Sequence, residues 1–377
     1  MAQVSGTYDP KFQSVADTLS GLIDSGQDVG ASVAIVIEGK PIVDIWAGWM
    51  DQEKTRPWER DTITNVWSTT KTVSALAGLM LIDRGLIHED DPVAKHWPEF
   101  AANGKENVTI GHVLSHTSGV PVWEKPITLE EVYDWTTATE KLAGQAPWWE
   151  PGTASGYQAM NYGHFIGEVV RRVTGKPLAQ FVAEEISGPL NADFQIGAAR
   201  ADYDRISPVI SPPPPEPVPG LDPNSVMARA AGSPLIKAGY SKGDAWRGAD
   251  ISAANGHTNA RGIARVQSVV SNGGEVDGVR LLSPDTISRI FREYSNGDDL
   301  VLGRWVRFGL GYALQSSDIP YIPQEGVAFW GGWGGSLVVN DIDRKSTISF
   351  MMNKMNAGTL GNPSSQAIFE AAYDALS

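Results

Sequence analysis

The 377-residue sequence contains no cysteine, and that absence removes disulfides, thiolate nucleophiles and Cys-ligated metals from consideration. Cationic residues are also in short supply: 30 Lys and Arg stand against 44 Asp and Glu, a formal net charge of −14. Binding to a phosphate backbone or an anionic membrane depends on clustered Lys and Arg, so neither nucleic acid nor membrane is an expected partner. No stretch approaches the roughly 18–20 apolar residues of a membrane span. The start, MAQVSGTYDPKFQSVADTL, lacks the basic segment and apolar run of a secretory signal, so the expected location is cytoplasmic. No internal repeat is visible.

What is present is the composition of an ordinary soluble protein, with enough chain for two lobes or for one large α/β core carrying an insertion. An amphipathic segment around Phe12 to Ile23 precedes ASVAIVIEGKPIVDIWAG, two β-rich runs about a turn at Glu38-Gly39-Lys40. Near the other end, SLVVNDIDRKSTISFMMNKM reads as a hairpin turning at Asp341 to Arg344, and SSQAIFEAAYDAL reads as a closing helix. The two ends therefore predict one antiparallel sheet flanked by N- and C-terminal helices, an α/β unit of residues 1–67 and 272–377.

Between them, residues 68–271 read as an inserted, mainly helical domain, with helices over Thr69–Arg84, Leu129–Leu142, Met160–Val173, Leu178–Glu185 and Asn259–Val270. The active site is expected between the two domains. The tract SPPPPEPVPG, residues 211–220, can enter neither helix nor sheet interior, since proline lacks the donor and fixes φ.

Chemistry begins at WSTTKTVSALAGLM. Val73, Leu76, Ala77 and Met80 recur at helical spacing, which puts Ser68 and Lys71 in the first turn on nearly the same side. A serine hydroxyl is a poor nucleophile until a base takes its proton, and a neutral lysine amine can be that base. Keeping a lysine neutral near pH 7 costs roughly 4–5 kcal/mol at its ordinary pKa, so burial or a nearby positive helix end must lower that value.

Two further elements follow. EPGTASGYQAMNYG carries Tyr157 on a loop running into a helix, where a phenol can hydrogen-bond Lys71 or Ser68 and pass a proton to a leaving group. WGGWGGSLVV, from Trp330, places glycines beside what is expected to be an edge strand, where a free N–H can hold an oxyanion.

Together and in this order, the three elements resemble the serine β-lactamase and penicillin-binding protein superfamily, and more narrowly its class C β-lactamase-like carboxylesterases, the family VIII esterases. VLSHTSGV, from Val113, is similar to the superfamily's Leu-Leu-x-His-x-Ser-Gly segment, and PGT followed by Tyr157 matches its tyrosine motif. The resemblance implies a β-lactamase/transpeptidase-like fold with Ser68 as nucleophile, Lys71 as base and Tyr157 as its partner. It also implies an oxyanion hole from the amides of Ser68 and Trp333, or Gly332 if the alignment slips by one residue.

Two departures stand out. Ala159 occupies the Asn position of Tyr-x-Asn, and Trp330-Gly331-Gly332 stands where Lys-Thr-Gly would be. The superfamily's lysine pairs with a substrate carboxylate, which a tryptophan cannot do, so the resemblance implies neutral, short-chain ester substrates and an apolar pocket at Trp330, Gly331, Gly332 and Trp333. No cofactor or metal is called for, and oligomeric state is not readable.

Rival readings are weaker. GYSKG places Ser241 in a G-x-S-x-G pattern, but its surroundings lack the strand and helix of a nucleophile elbow. The six histidines form no triad or metal pattern, and His116 reads as a buried loop residue, with His164 and His257 on a helix face or loop. Acyl transfer, β-lactam or D-peptide hydrolysis would use the same acyl-enzyme. A non-catalytic ligand sensor is the alternative from a different class.

Overall fold

A computed structural model describes residues 2–124, 126–214 and 219–377. Nine strands form one antiparallel sheet: β1 (Val4–Tyr8), β2 (Gly30–Ile37), β3 (Lys40–Gly48), β4 (Ser295–Asp298), β5 (Trp305–Phe308), β6 (Ala313–Ser316), β7 (Val327–Gly331), β8 (Leu337–Asp341) and β9 (Ser346–Met352). Their order is β1-β3-β2-β9-β8-β7-β6-β5-β4, so the N-terminal hairpin joins the C-terminal strands through β2 and β9. The β2–β3 turn is tight because Glu38 and Gly39 both take left-handed φ, 49° and 75°, which suits a two-residue hairpin.

Helix α1 (Gln13–Asp24) packs beside α5 (Pro363–Leu376), as the two ends of the sequence predict. Helix α2 (Thr70–Asp83) is buried on every side, and α3 (Tyr162–Thr174) packs against it. Helix α4 (Ala260–Ser271), grouped in the sequence with the inserted lobe, lies on the sheet instead. Hydrogen bonds tie it there: Ser349 Oγ donates to the Ala260 carbonyl, Ser271 and Thr347 hydroxyls meet at 2.8 Å, and Asn340 donates to Gln267. Strand residues two apart share a face, so Thr347 and Ser349 of β9 point to α4 while Ile348 and Phe350 point away.

Other differences are local. The helix expected over Leu129–Leu142 is two, Leu129–Tyr133 and Trp135–Gly144, because Asp134 takes an extended backbone and its carboxylate accepts from Thr137. Strands Phe194–Ile196, Ile206–Ser207 and Gly256–Thr258 join Ile63–Asn65 in a second sheet. At two or three residues each, they are too short to leave a period in the sequence. In the Pro-rich tract, residues 211–214 enter no helix or strand, and 215–218 lie outside the described residues.

Strand β7 is not at an edge: β8 flanks it on one side and β6 on the other. Its pairing with β6 is confined to Ala313 and Phe329, so past Phe329 one side of the strand is unpaired at the end that carries Trp330 and Gly331.

The approach of α3 to the segment before strand Gly256–Thr258 depends on Gly163, where a Cβ would sit 2.6 Å from the backbone of Ser252 and Ala253. Gly163→Ala should therefore cost about 1–3 kcal/mol of stability through overpacking, read as a lower urea midpoint at constant slope. An unaltered midpoint would show that the two backbones can separate freely.

Candidate active site

Ser68 sits in a 3-10 turn, Trp67–Thr69, at the mouth of α2. The chain reaches it through a kink: Trp67 takes φ 49°, a left-handed conformation that is uncommon for a bulky side chain. Surrounding contacts hold the kink. Val66 donates its N–H to the Gly256 carbonyl at 2.9 Å, Ser336 Oγ donates to the Val66 carbonyl at 3.1 Å, and the hydroxyls of Thr69 and Ser336 meet at 3.0 Å. The Trp67 ring lies 5.0 Å from Trp333 and 5.4 Å from Trp246. Gly332 is required at this crossing, since a Cβ there would come within 2.3 Å of the Val66 carbonyl.

Lys71 is 2% exposed. Its Nζ donates to the carbonyls of Ala159 at 2.7 Å and Ala253 at 2.9 Å, and lies 3.0 Å from Ser68 Oγ. Burial pushes its pKa well below the ordinary lysine value. A neutral amine has two N–H bonds and one lone pair. In that form, with both N–H bonds directed to carbonyls, the lone pair would face the Ser68 hydroxyl.

The phenol of Tyr157 interacts with Ser68 and accepts from Trp330 Nε1 at 3.3 Å, while its ring lies 4.8 Å from Lys71 Nζ. Burial raises its pKa well above that of free tyrosine, so it stays protonated and able to donate. Its own N–H donates to Asp299 Oδ1 at 3.0 Å. His116 packs 5.0 Å from the Tyr157 ring, and burial, with Lys71 nearby, holds its imidazole well below the usual histidine range.

The structure thus brings Ser68, Lys71 and Tyr157 into one cluster. Trp330 is 2% exposed: its ring packs against Tyr157, Phe308 and His116, inside the cluster and not on an open wall. Gly331 and Gly332 are buried, and Trp333 keeps part of its surface exposed. Of the two candidate oxyanion amides in this loop, Gly332 N–H is occupied by the Ser336 carbonyl at 2.8 Å. Trp333 N–H and Ser68 N–H have no hydrogen-bond partner among the described residues.

Ser241 lies elsewhere, with its hydroxyl donating to the Ala238 carbonyl inside a short 3-10 turn. His164 and His257 are buried against the carbonyls of Val132 and Asn255. Among the described residues no cluster of His, Asp or Glu is arranged to hold a metal, and no helix is long and apolar enough to cross a membrane.

Sequence reasoning missed Asp299 and the carbonyls of Ala159 and Ala253. A backbone carbonyl leaves no residue-type signal, although the loss of Asn from Tyr-x-Asn marks the place where Lys71 takes a carbonyl.

A family model described as Beta-lactamase matches residues 15–373. The esterase/beta-lactamase LipL of Mycobacterium tuberculosis is 32% identical over 306 residues, 77% of this chain and 70% of that protein. A family VIII carboxylesterase of known structure superposes with a TM-score of 0.92 at 36% identity, over 99% of this chain and 100% of the other. A penicillin-binding protein homologue from Caulobacter crescentus gives a TM-score of 0.91 at 32% identity, over 99% and 100%.

A fluorophosphonate that reports on activated serines should modify Ser68, whose oxygen meets an amine at 3.0 Å, and not Ser241, whose oxygen meets a carbonyl. Peptide mapping of the labelled protein reads the result, and adduct on Ser241 would reject the cluster as the reactive centre.

Proposed function

The chain belongs to the beta-lactamase family and has its fold, an antiparallel sheet with flanking helices; on that footing we propose that it is a serine carboxylesterase acting on short-chain neutral esters through an acyl-enzyme on Ser68. The observation that carries this reading is the enclosure of Lys71, buried and facing two carbonyls and one serine. In the reaction, neutral Lys71 takes the Ser68 proton as Oγ bonds to the ester carbonyl carbon. The resulting oxyanion lies toward the N–H groups of Ser68 and Trp333, the two amides left unbonded. Collapse breaks the C–O bond, and Tyr157 gives its proton to the departing alkoxide while recovering one from Lys71. Water then attacks the acyl group with the same base, releasing acid and free Ser68.

Two features favour neutral esters. The position of the superfamily's substrate-binding lysine is Trp330, whose Nε1 is committed to Tyr157, so it supplies no charge for a substrate carboxylate. Trp333 offers a partly exposed aromatic surface beside the Ser68 turn. Likeness to a family VIII carboxylesterase and to an esterase/beta-lactamase supports ester cleavage.

Lys71→Ala and Tyr157→Phe should each slow hydrolysis of a p-nitrophenyl ester by roughly 10²–10⁴-fold, the usual contribution of a general acid or base. Near wild-type turnover in Lys71→Ala would require another base. Since leaving a substrate carboxylate unpaired in a desolvated site costs a few kcal/mol, about a hundredfold or more in binding, kcat/KM for nitrocefin should fall well below that for a short-chain p-nitrophenyl ester. Equal values would favour a β-lactamase.

A further inference from the structure

The VLSHTSGV segment lies against the loop that carries Tyr157. That loop needs support from outside, because residues 155–158 belong to no helix or strand. Gly152 donates its N–H to the Thr117 carbonyl at 2.8 Å, and Ser118 Oγ donates to the Gln158 side chain at 2.8 Å. At Tyr157 itself the contacts tighten. The Gly156 N–H donates to the His116 carbonyl at 2.9 Å, the Tyr157 N–H to Asp299 Oδ1 at 3.0 Å, and the Gln158 N–H to His116 Nδ1 at 3.1 Å. Three consecutive amides, with the tyrosine in the middle, are each tied to one of two residues distant in sequence.

Both residues are held in unfavourable states to do this. His116 takes φ 63°, in the left-handed region, which turns its carbonyl and its ring toward the same loop. Nδ1 must be unprotonated to accept an amide, so the imidazole is neutral, and its ring stacks on Tyr162 at 4.8 Å while touching Tyr157. Asp299 is 1% exposed, and its Oδ1 also accepts the N–H groups of Val301 and Leu302 at 2.9 Å, while Oδ2 has no hydrogen-bond partner among the described residues.

We propose that His116 and Asp299 are positioning residues that clamp the backbone on both sides of Tyr157 and so set the reach of its phenol to Ser68. The phenol oxygen stands at the end of a long side chain, so a small backbone rotation displaces it far more than it displaces the Cα. This assignment rests on the role given to Tyr157 above.

The test uses the full chain and a short-chain p-nitrophenyl ester. In His116→Asn the amide oxygen can stand where Nδ1 stands, and asparagine tolerates left-handed backbone; His116→Leu has similar size without an acceptor. Given that a misplacement of about 1 Å can cost about 10²-fold, His116→Leu should lower kcat about 100-fold with KM held within about twofold, and His116→Asn should recover about tenfold or more of that loss. Because the effect passes through the phenol, adding His116→Leu to Tyr157→Phe should slow the enzyme by no more than about threefold further.

Losses that multiply in the double variant, or equal rates in Leu and Asn, would overturn the clamp. If His116→Leu fails to fold, Asp299→Ala removes the opposite contact and is carried through the same cycle with the same expected result. Slow Tyr157→Phe beside wild-type His116→Leu rejects the clamp alone, whereas wild-type turnover in Tyr157→Phe rejects the role of Tyr157 itself.

Discussion

Removing one amine from water is the constraint around which this molecule is arranged. Burying an ammonium costs several kcal/mol even after relaxation, and at Lys71 that cost pushes the pKa well below the ordinary lysine value while the nitrogen donates to two carbonyls. Each carbonyl belongs to a different stretch of chain, Ala159 following the tyrosine loop and Ala253 preceding strand Gly256–Thr258. Excluding water from Lys71 therefore forces α2, the tyrosine loop and the second sheet into contact. That contact is the proposed active site.

The large sheet supplies the remaining side. Strand β7 runs past the end of its pairing with β6, and the chain just beyond it crosses the Ser68 turn so closely that only glycine fits at 332. Trp330 then fills the space inward and reaches the Tyr157 oxygen, while Trp333 turns back onto Trp67. One short segment thus braces the tyrosine on one side and leaves an amide free on the other. The left-handed backbones of Trp67 and His116 flank the same centre, as expected where local strain is held by well-packed surroundings.

Much of this was legible in the chain. Apolar periodicity located α1, α2, α3, α4 and α5 to within one or two residues, and the Glu38-Gly39 turn located the first hairpin. Legibility failed where the signal was short or non-local. Asp134 interrupts a continuous helical pattern with one extended residue, and the second sheet is built from strands of two or three residues. Trp330 was expected to line an apolar substrate pocket and is instead enclosed by Tyr157, Phe308 and His116, because hydrophobicity says nothing about which neighbours enclose a ring.

What the sequence determined by itself is the local chemistry: a serine and a lysine one helical turn apart, a tyrosine on a glycine-bounded loop, and two glycine pairs that allow close backbone approach. Those follow from covalent spacing and from helix geometry, which act over a few residues. What the tertiary structure alone decided is the state of those groups. Lys71 has its pKa pushed well below the ordinary lysine value because its surroundings exclude water, and Tyr157 is oriented because His116 and Asp299, 41 residues before it and 142 after it, hold its backbone. Desolvation and hydrogen-bond geometry depend on which distant segments fill the space around a group, and no local pattern of residues encodes that.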